Sequence, residues 1–96
     1  MIQVAIFEDN KHLRETFSLL LNNTAGFECT GAYPDCNTVI DDLSAKPSDV
    51  VLMDIEMPGI NGIEATRLIK QNFPEINILI QTVFFEDEFI FNAICA

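Results

Sequence analysis

"VVLMDIEMPG", residues 50–59, is the stretch whose reading decides the fold. Four consecutive apolar residues lead to one carboxylate, Asp54, and the chain then turns on Met57, Pro58 and Gly59. A strand that is apolar at successive positions has both faces covered, which is the habit of a parallel sheet with helices on either side. Proline and glycine end such a strand by removing a ladder donor and freeing the backbone to turn. The reading is a buried strand that delivers a single acid to its C-terminal end.

Working outward, Asp49 to Asp54 is the third of four strand-then-helix units. In the first, "IQVAIF" (Ile2 to Phe7) runs into Glu8-Asp9-Asn10, and Leu13, Phe17, Leu20 and Leu21 then recur at helical spacing until Asn22-Asn23. The second pairs a weaker strand, Phe27 to Tyr33, with a helix from Asp35 to Ala45 whose Val39, Ile40 and Leu43 face inward, closed by Pro47. After Asp54 a turn leads to a helix from Asn61 to Asn72 that buries Ala65, Leu68 and Ile69. In the fourth unit, "INILIQT" (Ile76 to Thr82) is a strand, and Glu86 to Ala96 carries helical spacing at Ile90, Ala93 and Ile94. This alternation implies an α/β domain, a parallel sheet with right-handed crossovers and helices on both faces.

Ninety-six residues suffice for one such domain and not for two. Five basic against fifteen acidic residues give a net charge of -10, which repels phosphate backbones and anionic lipid, so direct nucleic-acid binding is not expected. No apolar run approaches the ~20 residues of a membrane span. The opening "MIQVAIFEDN" lacks the basic start of a secretion signal, and a cytoplasmic location is expected. Cys29, Cys36 and Cys95 have no C-x-x-C spacing, and they read as free thiols and not as zinc ligands.

In a parallel sheet the C-terminal ends of all strands share one edge, where ligands bind. That rule gathers Glu8 and Asp9 after the first strand, Asp54 after the third and Thr82 after the fourth. Three carboxylates so placed raise one another's pKa unless a cation lies between them, and Mg²⁺ is suited by one or two carboxylates and several waters. Thr82 adds a hydroxyl donor for an anionic oxygen. Taken singly, each acid is as well explained as a turn residue, and Asp9 as the cap of the first helix. His12 reads as a solvated helix residue.

The combination "FEDN", "LMDIEMPGINGIE" and "QT" resembles the receiver domain of two-component response regulators, a flavodoxin-like domain. The resemblance implies that Asp54 accepts a phosphoryl group from a sensor histidine kinase with Mg²⁺ or Mn²⁺. It implies further that Asp9 and Asp54 bind the metal directly, Glu8 largely through water and Glu56 through its main-chain carbonyl, and that Thr82 is the family's hydroxyl residue. It makes the chain a catalyst only of its own aspartyl phosphorylation and dephosphorylation. Receiver domains have five strand-helix units in the order 2-1-3-4-5, so residues 1–96 are expected to form a single, C-terminally incomplete receiver with order 2-1-3-4. Lys11, Lys46 and Lys70 do not match the family's lysine on the missing fifth strand.

Three expectations follow from the incompleteness. "INILIQT" becomes an unprotected edge, so either the protein continues beyond Ala96 or two chains associate across the fourth strand or the fourth helix. The resemblance leaves room for a DNA-binding output domain after these residues in a full-length protein, as many members of that family carry. Phe91 and Cys95, spaced i and i+4 on the expected fourth helix, read equally as a partner-binding patch or as surface that the missing part of the domain would cover. Two other functions fit less well: a receiver-like binding or dimerisation module that no longer cycles phosphate, and a small phosphatase with an aspartate nucleophile, for which Glu56 looks too much like part of a receiver turn.

Overall fold

The computed structural model describes residues 1–83 and 91–95. Strands β1 (Ile2–Phe7), β2 (Phe27–Tyr33), β3 (Val50–Asp54) and β4 (Asn77–Val83) lie parallel, and β5 (Phe91–Cys95) closes the sheet in the order β2-β1-β3-β4-β5. Helices α1 (Lys11–Asn22), α2 (Val39–Ala45) and α3 (Gly62–Asn72) connect the parallel strands. The four parallel strands keep the expected order 2-1-3-4.

Alternate residues of the central strands face opposite sides. Ala5, Phe7, Val51, Met53 and Ile78 form the core with Val39 and Leu43 of α2 and Ala65 and Ile69 of α3. On the other side Val4, Val50, Leu52 and Leu79 face α1, which sits mainly over β1 and β2. That side keeps an apolar groove of about 290 Å³ floored by the strands and flanked by Phe17, Leu20 and Leu21. The helical face read from Leu13, Phe17, Leu20 and Leu21 is therefore only half used: no α1 residue is buried, and Leu20 remains 61% exposed. One irregularity interrupts β1 and β2, where Val4 pairs with Cys29 and Ala5 with Gly31; the extra residue, Thr30, donates its hydroxyl to the Val4 carbonyl.

Two sequence readings are corrected. The second helix begins at Val39 and not at Asp35, because the Asp35 carboxylate accepts from the Asn37 amide and holds a turn there. The helix expected from Glu86 to Ala96 is not formed at Phe91–Cys95, which pairs antiparallel with β4, Leu79 against Cys95 through Val83 against Phe91. Residues 84–90 and 96 lie outside the described residues. An open strand edge presents a row of unpaired amides and carbonyls, and an aromatic and β-branched segment satisfies them, whereas a single short helix is marginal alone. The β4 edge expected to be free for a second chain is thus occupied, and the spacing of Phe91 and Cys95 belongs to a strand.

Candidate metal and phosphoacceptor site

The strand register builds the site. Phe7 pairs with Met53, so the next residues, Glu8 and Asp54, emerge side by side at the C-terminal edge; Asp54 pairs in turn with Gln81. Glu8, Asp9 and Asp54 each offer a carboxylate oxygen within 4.8 Å of the others. Glu8 is buried, Asp54 half-buried and Asp9 exposed.

Burial pushes the Asp54 carboxyl up to about 7, reinforced by the charge of Glu8 and by Asp9. Glu8 is also raised, chiefly by burial, although the Asn10 amide donates to its Oε2 at 3.1 Å and opposes the rise. Burial first, and the neighbouring acids second, disfavour the ionised forms, and a cation bound among these carboxylates would favour them. The donor set is all oxygen, without imidazole or thiolate, which suits Mg²⁺ or Mn²⁺ and not zinc.

Two turns carry these acids. In the first, the Glu8 amide donates to the Tyr33 carbonyl at 3.0 Å, and Asn10, not Asp9, caps α1 by accepting from the Leu13 amide at 3.0 Å. Arg14 reaches back from α1, its Nη1 donating to the Glu8 carbonyl at 2.9 Å. In the second, Met57 is buried in the core and anchors the loop after Asp54. Gly59 adopts φ +81, and Asn37 from the neighbouring loop accepts from the Ile60 amide at 3.4 Å. The Gly62 amide donates to the Ile55 carbonyl at 2.8 Å, and a Cβ at Gly62 would meet the Asp54 carbonyl oxygen and lie 2.8 Å from Ile55 Cα. Asn61 caps α3 by accepting from the Glu64 amide at 2.9 Å.

Glu56 lies in this second turn with its side chain exposed and outside the acid cluster. Thr82 continues β4 one residue past Gln81, its backbone paired with Asn92; its side chain lies outside the described residues. His12 is exposed, as expected. Lys70 donates to the Ile76 carbonyl at 2.7 Å, at the opposite end of the sheet. Cys29 and Cys36 are free, and burial first, with nearby acids, pushes the Cys36 thiol up to about 12, so it stays protonated.

Three contributors were not read from the sequence. Gln81, only 7% exposed, is a polar interruption in "INILIQT" beside Asp54, a signal that was available. Arg14 sits four residues after Asn10, the spacing that turns a side chain back over a helix start. Asn37 left no signal, because its contact spans 23 positions.

A family model described as the response regulator receiver domain matches residues 4–96. The chain belongs to the response regulator receiver family. The receiver is 38% identical over 92 residues to response regulator GacA of Pseudomonas aeruginosa, covering 93% of this chain and 42% of that protein. It is 30% identical over 89 residues to the transcriptional regulatory protein DegU of Brevibacillus brevis, covering 93% of this chain and 38% of the relative. The receiver thus spans about two fifths of the length of these curated relatives. Among solved structures, the response regulator domain of Thermotoga maritima CheB superposes with a TM-score of 0.81 at 26% identity, over 93% of this chain and 66% of that one. A DNA-binding response regulator of the LuxR family from Staphylococcus aureus gives 0.80 at 26% identity, over 91% and 72%.

Proposed function

We propose that the receiver takes a phosphoryl group from a phosphorylated histidine of a sensor kinase onto Asp54, with Mg²⁺ or Mn²⁺ at the acid cluster. The observation that carries this reading is the meeting of three carboxylates within 4.8 Å at the C-terminal edge, with Asp54 raised to about 7. Asp54 and Asp9 are the direct ligands in this reading, Glu8 acts mainly through water, and the Glu56 carbonyl completes the protein donors. A bound divalent cation supplies neutralisation of the charge spread over the transferring group.

Asp54 Oδ forms the new bond to phosphorus as the phosphorus–nitrogen bond of the donor breaks, its electron pair returning to the imidazole. The Thr82 hydroxyl is the donor assigned to a phosphoryl oxygen. Asp54 is positioned for this by β3, which leaves its carboxylate no alternative to the edge. The receiver acts on its own side chain and on no second substrate. The control of a DNA-binding output domain in a longer protein is supported by the names of DegU, a transcriptional regulator, and of the Staphylococcus aureus DNA-binding regulator, and a cytoplasmic place by membership of the receiver family.

Incubation with Mg²⁺ and a small phosphodonor, followed by intact mass and alkali treatment, tests the reading. One alkali-labile phosphoryl group, absent in Asp54→Asn and in chelator, is the expected result. Alkali-stable label, or label that survives Asp54→Asn, would overturn it, and wild-type chain that binds Mg²⁺ but takes no label would favour a binding module.

A further inference from the structure

Glu8, Asp9 and Asn10 belong to neither strand nor helix, so the aim of the two carboxylates depends on whatever fixes their peptide planes. The amide side of Glu8 is held by the Tyr33 carbonyl. The carbonyl side is held by Arg14: Nη1 donates to the Glu8 carbonyl at 2.9 Å and lies 3.5 Å from the Asp9 carbonyl. Arg14 can reach both because its own amide donates to the Asn10 carbonyl at 2.9 Å, which fixes the first turn of α1 beneath the acid pair. The guanidinium therefore bonds the main chain of the pair and leaves the carboxylates free.

We propose that Arg14 is a positioning residue for the metal site, resting on the phosphoacceptor reading above. Its Nη1 lies against two successive carbonyls, fixing the two peptide planes from which Glu8 and Asp9 reach toward Asp54. A lysine ammonium keeps the charge but sits on a flexible stem without the planar guanidinium that places Nη1 between the two carbonyls.

The sign of the effect separates positioning from plain charge. A cation near a cation site repels the metal, so loss of the Arg14 charge alone would tighten Mg²⁺ binding. Loss of positioning weakens it, by about 10-fold where an outer partner orients metal ligands. Isothermal titration of the full chain with MgCl₂ alone, on wild type, Arg14→Gln and Arg14→Lys, decides between them, with circular dichroism to confirm folding. Both variants are expected to bind Mg²⁺ about 10-fold more weakly, and the Mg²⁺ needed for half-maximal labelling by a small phosphodonor should rise by the same factor. A small donor needs no docked kinase, so a role of Arg14 in partner contact would not move this readout. Tighter binding by Arg14→Gln with unchanged Arg14→Lys, or wild-type affinity in both, would overturn the positioning role while leaving the phosphoacceptor reading intact. Wild-type chain that binds no Mg²⁺ would overturn both.

Discussion

The two turns that bring acids to the sheet edge are built on opposite principles. The turn after β1 is held by added side chains: Asn10 caps the helix, and Arg14 ties down the main-chain carbonyl of Glu8. The turn after β3 has its own side-chain anchor in Met57, but its path depends on side chains that are absent, since Gly62 lets α3 start against the Asp54 carbonyl and Gly59 takes a left-handed conformation beside Asn37. A turn fixed by side chains loosens by degrees when one is removed. A turn fixed by close backbone approach fails when one atom is added.

The sharpest way to break this contrast is Gly62→Ala. The new methyl would meet the Asp54 carbonyl and crowd Ile55 Cα at 2.8 Å, and neither is the end of a flexible side chain. Overpacking of this kind costs about 1–3 kcal/mol or more, and against backbone the upper end applies, ~3 kcal/mol. In a thermal melt that is a fall of roughly 12 °C or more, at ~4–8 °C per kcal/mol for a chain of this size. Retention of the wild-type melting temperature would show that the α3 start can move, and the contrast would collapse.

How far the sequence carried this picture follows the same division. The strand bearing Asp54 and the strand bearing Glu8 were legible because burial on both faces writes itself as consecutive apolar residues, and the shared edge followed from parallel topology alone. Pro58 and Gly59 were legible as a turn. The burial of Met57, the contact of Asn37 and the bond from Arg14 were not, because each depends on how separate segments meet in space. Residues 91–95 misled for a related reason. Their apolar spacing fits a helix, but the open edge of β4 is a tertiary fact that outweighs local periodicity.

A second test asks whether the turns, once formed, hold the acids against their own repulsion. Asp54 is raised to about 7 in the fold, against about 3.9 for an ordinary aspartate. Between these values the folded chain keeps a proton that the unfolded chain has released, so folding takes up a proton and metal-free stability falls as pH rises from about 4 to about 7. Melts in chelator should therefore drop across this range, Asp54→Asn should flatten the drop, and the stabilisation by Mg²⁺ should be larger near pH 8 than near pH 5, where protons compete for the same carboxylate. A Mg²⁺ effect equal at both ends would mean that Asp54 is not the titrating ligand.

Gly59→Ala probes the outer, less crowded part of the second turn. A left-handed conformation costs an alanine about 1–2 kcal/mol, and the methyl would also press on Asn37 Oδ1. Asn37 is exposed and can yield, so adding Asn37→Ala should return only the part of the loss due to contact and leave the conformational cost. Full recovery in the double variant would assign the whole effect to the side chain instead of the backbone.

The smallest expected effect compares the two helix caps directly. Asn10→Ala and Asn61→Ala each remove one side-chain acceptor from an exposed helix start, of the Leu13 amide and the Glu64 amide respectively, and each should cost about 1 kcal/mol. Equal losses of stability need not mean equal losses at the site. Asn10 stands in the turn that side chains hold, and its removal frees the start of α1 from which Arg14 reaches the Glu8 carbonyl. Asn61 stands in the turn that backbone approach holds, and the bond from the Gly62 amide to the Ile55 carbonyl survives its removal. Mg²⁺ titration should accordingly find Asn10→Ala weakened several-fold, by the outer-partner effect on a metal ligand, and Asn61→Ala within about twofold of wild type. Equal weakening in the two would show that the caps act only through overall stability, and the distinction between the turns would then not reach the metal site.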